Sequence, residues 1–100
     1  MEDFYERIDE LVQDLLIPAR TEKTIDKQAF EKFYGILIEL EKEMKGEEYI
    51  PRKNAGLLFF IYRTLSAEAE HCSYNDELFI AVANLEDMLD RILWDSPFKN

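Results

Sequence analysis

Leu57-Leu58-Phe59-Phe60-Ile61-Tyr62 are six apolar residues in succession, and how they are buried decides the fold. The run is far shorter than the roughly 20 apolar residues that cross a bilayer. It sits inside a longer helical pattern from Pro51 to about Ala69, so it reads as a helix enclosed on most of its circumference. Such a helix needs partners on several sides. The sequence supplies them in both directions.

Downstream, Leu78, Val82, Leu85, Met88, Leu89 and Ile92 form one apolar stripe. Ser73 and Asp76 precede it like a capping box with Asp in place of Glu, which sets a helix over about 74–94. Upstream, Ala29, Phe30, Phe33, Ile36, Leu37, Leu40 and Met44 mark a helix over about 25–45. It starts at an N-cap between Thr24 and Asp26 and is stopped by Gly46. Gly35, mid-helix, reads as a point of close helix approach. At the N-terminus, Phe4, Ile8, Leu11, Val12, Leu15 and Leu16 give a helix over about 3–17 that Pro18 ends, because the residue before a proline avoids helical angles. Pro51 suits the first position of the 51–69 helix. Residues 95–100 are a short tail.

Four helices with short connections predict a single all-α domain, an antiparallel up-down-up-down four-helix bundle with the 51–69 helix most enclosed. In that fold the 46–50 loop and the tail share one end. The 18–24 and 70–73 connections share the other. One hundred residues, 47% hydrophobic and 13% aromatic, suffice for one core but leave little room for a deep pocket.

Twenty-two acidic and twelve basic residues give a net charge of −10. That disfavours nucleic acid and anionic membrane surfaces. It is met either by a solvated acidic surface or by an acidic face shown to a basic partner. Met1-Glu2-Asp3-Phe4 has neither a basic nor a long apolar leader character, which points to the cytoplasm. Cys72 is the single cysteine, so no internal disulfide forms.

Catalytic chemistry is hard to place. Glu68-Ala69-Glu70-His71 has the Glu-x-x-His spacing of di-metal bundles, but those need two such motifs, and His71 is the single histidine. A Ser-His-Asp triad would depend on the same residue, with no nucleophile elbow beside it. No catalytic residue, metal ligand or cofactor is assigned. Trp94 and Phe98 lie at or beyond the end of the last stripe. Either the tail folds back on the bundle or these aromatics are recognition elements. Arg52 and Lys53 sit where a helix dipole disfavours cations. Glu47 and Glu48 compensate them, or they form a basic spot beside the tail.

From about residue 26 to 93 the chain resembles the pediocin-like (class IIa) bacteriocin immunity proteins of the enterocin A immunity type. The resemblance rests on Phe33-Tyr34-Gly35-Ile36-Leu37-Ile38-Glu39-Leu40-Glu41-Lys42, the Tyr49-Ile50-Pro51-Arg52 turn, the 57–62 run, and Tyr74-Asn75-Asp76-Glu77-Leu78. It implies a cytosolic four-helix bundle that protects a bacterium by docking on the bacteriocin-bound mannose phosphotransferase permease, with no membrane insertion. It further implies specificity in the C-terminal half, here Tyr74 to Asn100, with Tyr74, Trp94, Phe98 and Lys99 as contact residues. Arg52 and Lys53 join them from the end-of-bundle geometry alone. Many relatives are basic, and this chain is not. The competing reading is an acidic helical decoy or adaptor for a basic protein. Either fits a monomer or a weak dimer.

Overall fold

The apolar stripes all become helices that meet around one core. The computed structural model describes residues 3–94, and every regular element among them is helical: α1 (Phe4–Asp9), α2 (Val12–Glu22), α3 (Lys27–Met44), α4 (Arg52–Ala69) and α5 (Glu77–Leu93). The first two make one rod. Glu10 and Leu11 keep right-handed helical angles, but the Leu11 N–H bonds Ile8 O at 2.9 Å, a tighter turn that interrupts the regular ladder. With α3, α4 and α5 the rod completes a four-helix bundle.

Pro18 does not end the first helix. It lies inside α2, which runs on to Glu22 and stops at Lys23, in the left-handed region with φ 54°. The Lys23 N–H closes the end on Ala19 O at 3.2 Å. An interior proline costs about 3 kcal/mol through its missing N–H and ring clash. The extra turn offsets part of that cost by burying Ala19 completely and bringing Lys23 within 2.7 Å of Glu68. The last helix also starts later than expected. The Asp76 carboxylate turns back to accept the Ser73 N–H at 2.9 Å, so residues 73–76 are a turn and the helix begins at Glu77. Asp26 caps α3 as expected, accepting the Ala29 N–H at 3.1 Å. After α3, Lys45 is extended and Gly46 has φ 79°, and the Glu47 N–H bonds Met44 O at 2.9 Å. That is a type II turn with glycine where positive φ is required.

Ion pairs report how the rods run. Asp3 meets Lys53 at 4.0 Å and Lys23 meets Glu68, so the first rod and α4 are parallel. Lys27 meets Glu77 at 3.1 Å and Glu41 meets Arg91 at 3.3 Å, so α3 and α5 are parallel too. Arg7 reaches Glu39 at 2.8 Å, which sets the first rod antiparallel to α3. The first rod packs on α3 and α4, and α5 packs on the same two, leaving α3 and α4 across a diagonal. Neighbours are therefore not all antiparallel, as short loops had suggested. Residues 45–51 reach up to ~24 Å when extended. That is ample for a diagonal of ~13 Å between helices spaced ~9 Å apart.

Phe33 is fully buried, as are Ile8, Leu15, Leu37, Leu58, Ile61, Leu65 and Leu85, all members of one hydrophobic core. The 57–62 run is not enclosed. Leu58 and Ile61 are inside, but Phe59 is 62% and Phe60 40% exposed. α4 buries a single face, at Asn54, Leu58, Ile61, Leu65 and Ala69, while α5 buries seven residues. Six consecutive apolar side chains cover all sides of a helix, and α4 has neighbours on only two. Asn54, in the first turn of α4, is the one buried polar residue among the described residues, and its Oδ1 has no hydrogen-bond partner among them.

Gly35 is not a close-approach site. A Cβ built there, or at Gly56, meets nothing within 4 Å, and both glycines are on exposed helical faces. Gly35→Ala and Gly56→Ala should each stabilise the protein by about 0.5–1 kcal/mol, through the lower backbone entropy of the unfolded chain. Urea titration reads this directly, and a lowered midpoint in either variant would show a hidden steric demand.

Candidate functional site

The expected site residues do not form one cluster. Arg52, Lys53 and Trp94 belong to the end of the bundle where α4 begins and α5 finishes. Tyr74 is 80% exposed in the turn before α5, at the opposite end, about 30 Å along the helix axis from Trp94. Phe98, Lys99 and the path of the tail lie outside the described residues. Even at the shared end, the side chains face different neighbours. Lys53 points to the first rod, pairing with Asp3 and lying 5.1 Å from the Tyr5 ring centre. It is Asp3 and Tyr5, not Glu47 or Glu48, that compensate it. Trp94 borders the groove between α4 and α5.

That groove is the clearest apolar feature at this end. Tyr62, Leu89, Leu93 and Trp94 line it, with Glu86 and Asp90 along the edge. Leu93 and Trp94 stay about half exposed. The Tyr62 hydroxyl donates to Glu86 Oε1 at 2.5 Å, and this bond is the main reason its pKa is raised, with burial adding to it. A second groove, between α3 and α5, is lined by Phe30, Tyr34, Ile80 and Asn84 and bounded by the Lys27–Glu77 pair. There the Tyr34 hydroxyl donates to Ala81 O at 3.2 Å, and burial pushes its pKa up. A third, between α2 and α4, holds Arg20, Phe60, Arg63, Thr64 and Glu68. All three are open surface grooves.

The carboxylates serve ion pairs. Glu68, half of the Glu-x-x-His spacing, is engaged by Lys23, whose hydrogen bond lowers its pKa, with smaller contributions from His71 and Arg20. Arg91 bridges Asp87 and Glu41, and their bonds raise its pKa. Among the described residues no three His, Cys, Asp or Glu side chains converge in a way that could hold a metal ion. No helix among them is long and apolar enough to cross a membrane.

No known family, curated protein or solved structure matches the chain. The site must therefore be judged on its own residues. What they offer is surface contact: half-exposed Leu93 and Trp94 at one end, and exposed Phe59 and Phe60 along α4. The two phenylalanines escaped the sequence reading because a continuous apolar run says nothing of which members face water. Arg63 and Arg20 escaped it because their partners come from different helices. A usable signal was present in the charge pattern: α4 has few carboxylates in a very acidic chain.

The ion pairs also set the acid response. Hydrogen bonds from Arg7 and Lys23 hold the Glu39 and Glu68 carboxyls below the ordinary carboxylate range. A depressed folded pKa gives stabilisation that is present above the unfolded value of about 4.3 and is lost as pH falls through the folded value. The urea midpoint should therefore drop between about pH 5 and pH 3. The double variant Glu39→Gln, Glu68→Gln should drop less over that window. An identical drop would remove these two carboxyls as the cause.

Proposed function

We propose that this protein protects a bacterial cell from a pediocin-like bacteriocin by binding a protein partner, without catalysing a reaction. In this reading the partner is the mannose phosphotransferase permease in its bacteriocin-engaged state, met from the cytoplasmic side. The observation that carries the proposal is the pair Leu93 and Trp94, about half exposed where α5 ends and bordering the α4–α5 groove. Large aromatics left in water beside an apolar groove are common anchors of protein contacts. They fall in the C-terminal region where the resemblance to the immunity proteins puts specificity. The four-helix architecture suits the same reading.

The test is protection in living cells. Expression in a bacteriocin-sensitive lactic-acid or streptococcal strain should raise resistance to at least one member of a pediocin-like panel. Trp94→Ala should lower that resistance at least tenfold with helicity unchanged by circular dichroism, since a central anchor contributes about 2 kcal/mol or more. Unchanged sensitivity across the panel would remove the proposal.

The acidic decoy is the second reading, favoured by the outer carboxylates of α5: Glu86, Asp87 and Asp90 are all exposed. It calls for a complex with a basic protein whose affinity falls steeply between 50 and 300 mM salt, because exposed charges are screened over roughly 10 Å.

A further inference from the structure

α4 stands apart from every other helix in its charge. Three of its four charged side chains are cations, Arg52, Lys53 and Arg63, and Glu68 is its one carboxylate. In α1, α2, α3 and α5 carboxylates outnumber cations. Arg52, Gly56, Phe59, Phe60, Arg63 and Ala67 are all exposed, so the outward side of α4 shows aromatic and cationic groups and no carboxylate over four turns. The Arg63 guanidinium lies 5.7 Å from the Phe60 ring centre. Glu68 is held by Lys23 at 2.7 Å, and Arg63 is exposed. Across the α2–α4 groove Arg20 lines the same depression as Phe60, Arg63 and Glu68, the one carboxylate there, which Lys23 neutralises. Ile17, half exposed, precedes Arg20 by one turn of α2.

We infer that the outward face of α4, with the Ile17–Arg20 edge of α2, is the docking site for an acidic amphipathic helix of a partner protein. The inference stands independently of the immunity reading. Charge complementarity selects the occupant. Guanidinium groups take carboxylates through paired hydrogen bonds, and the Phe59–Phe60 pair offers an apolar ridge for the partner's apolar stripe. The width of the stripe argues against an anionic bilayer. A plane would also face Glu86 and Asp90 on the α5 flank and meet their repulsion. A helix about 10 Å across covers the stripe alone. A second copy of the chain has the apolar stripes of its acidic helices α3 and α5 turned into its own core, so it does not present the stripe that the ridge takes.

The probe is a synthetic helical peptide with leucines on one face and glutamates along its edges, titrated at low salt into the isotopically labelled protein. Resonances of Phe59, Phe60, Arg63 and Arg20 should shift together. The double variants Arg20→Glu, Arg63→Glu and Phe59→Ser, Phe60→Ser should each weaken binding at least tenfold, with thermal melts confirming that both remain folded. The matching lysine peptide should leave these four resonances in place. The inference is overturned if the glutamate peptide does not bind at millimolar concentration, if its shifts map elsewhere, or if the variants bind it as well as the parent. Two further results also overturn it. Co-sedimentation with phosphatidylglycerol vesicles that Arg63→Glu abolishes would give the face to lipid. A sedimentation-equilibrium dimer lost in the serine variant would give it to a second copy.

Discussion

Ile61→Asp should unfold this protein, while Phe59→Asp, two residues earlier in the same apolar run, should leave its stability within about 0.5 kcal/mol of the parent. The contrast follows from direction alone. Ile61 is fully buried between Leu58 and Leu65 on the inner face of α4, and Phe59 is 62% exposed. A carboxylate at position 61 has two options. It stays ionised without a partner in the core, or it takes up a proton and leaves an unsatisfied polar group there. Both cost several kcal/mol, a large part of the 5–15 kcal/mol that holds a typical domain together. At position 59 the new carboxylate is in water. Circular dichroism at 25 °C and urea titration separate the outcomes. If both variants unfold, α4 is enclosed as the run alone suggested, and the one-sided burial described above is wrong. If Ile61→Asp folds normally, the core does not pass through α4.

Phe33→Ala should cost about 3–5 kcal/mol, the usual price of emptying a well-packed aromatic site. Phe33 is fully buried near the middle of α3, with Phe30 edge-on at 6.4 Å between ring centres and Tyr34 stacked at 6.4 Å. Helices on both sides of α3 depend on it, because α3 packs on the first rod and on α5. Neither can shift far to fill the void without parting from α4. The melting temperature should fall by about 15–30 °C. Phe33→Leu, which keeps most of the volume, should lose under half of that. A loss below about 1 kcal/mol for Phe33→Ala would mean that the site collapses freely, at odds with a core in which Phe33 is fully buried.

The alkaline side offers a smaller effect of opposite sense. Tyr34 and Tyr62 have raised pKa values, the first through burial and the second chiefly through its bond to Glu86. Their stabilisation is complete below the unfolded value of about 10 and is lost as pH rises through the folded values.

The helices and their number were legible in the sequence because a 3.6-residue period of apolar side chains is a local property. The stripes on α3 and α5 appear in the structure with the members expected, and Asp26 and Gly46 mark the ends of α3 by their own local chemistry. Pro18 and Gly35 were misleading for one reason: each has a local preference that packing overrules or leaves unused. Pro18 stays helical because Ala19 is buried beyond it. Gly35 has no close neighbour because the first rod does not press on that face. Tyr74 and Trp94 stand at opposite ends, as the placing of the 70–73 connection and the tail implied, because the 17 residues of α5 lie between them.

Composition and periodicity determined an all-helical chain, an acidic surface and an apolar core of four rods, because those follow from the residues one helix at a time. Only the tertiary structure decided that α3 and α4 lie across a diagonal, that the 57–62 run is half in water, and that Arg63 and Arg20 share a groove. Each of these depends on which rod stands beside which. The energy that chooses among lateral arrangements is spread over side-chain contacts between residues 20–50 positions apart, and no local pattern records it.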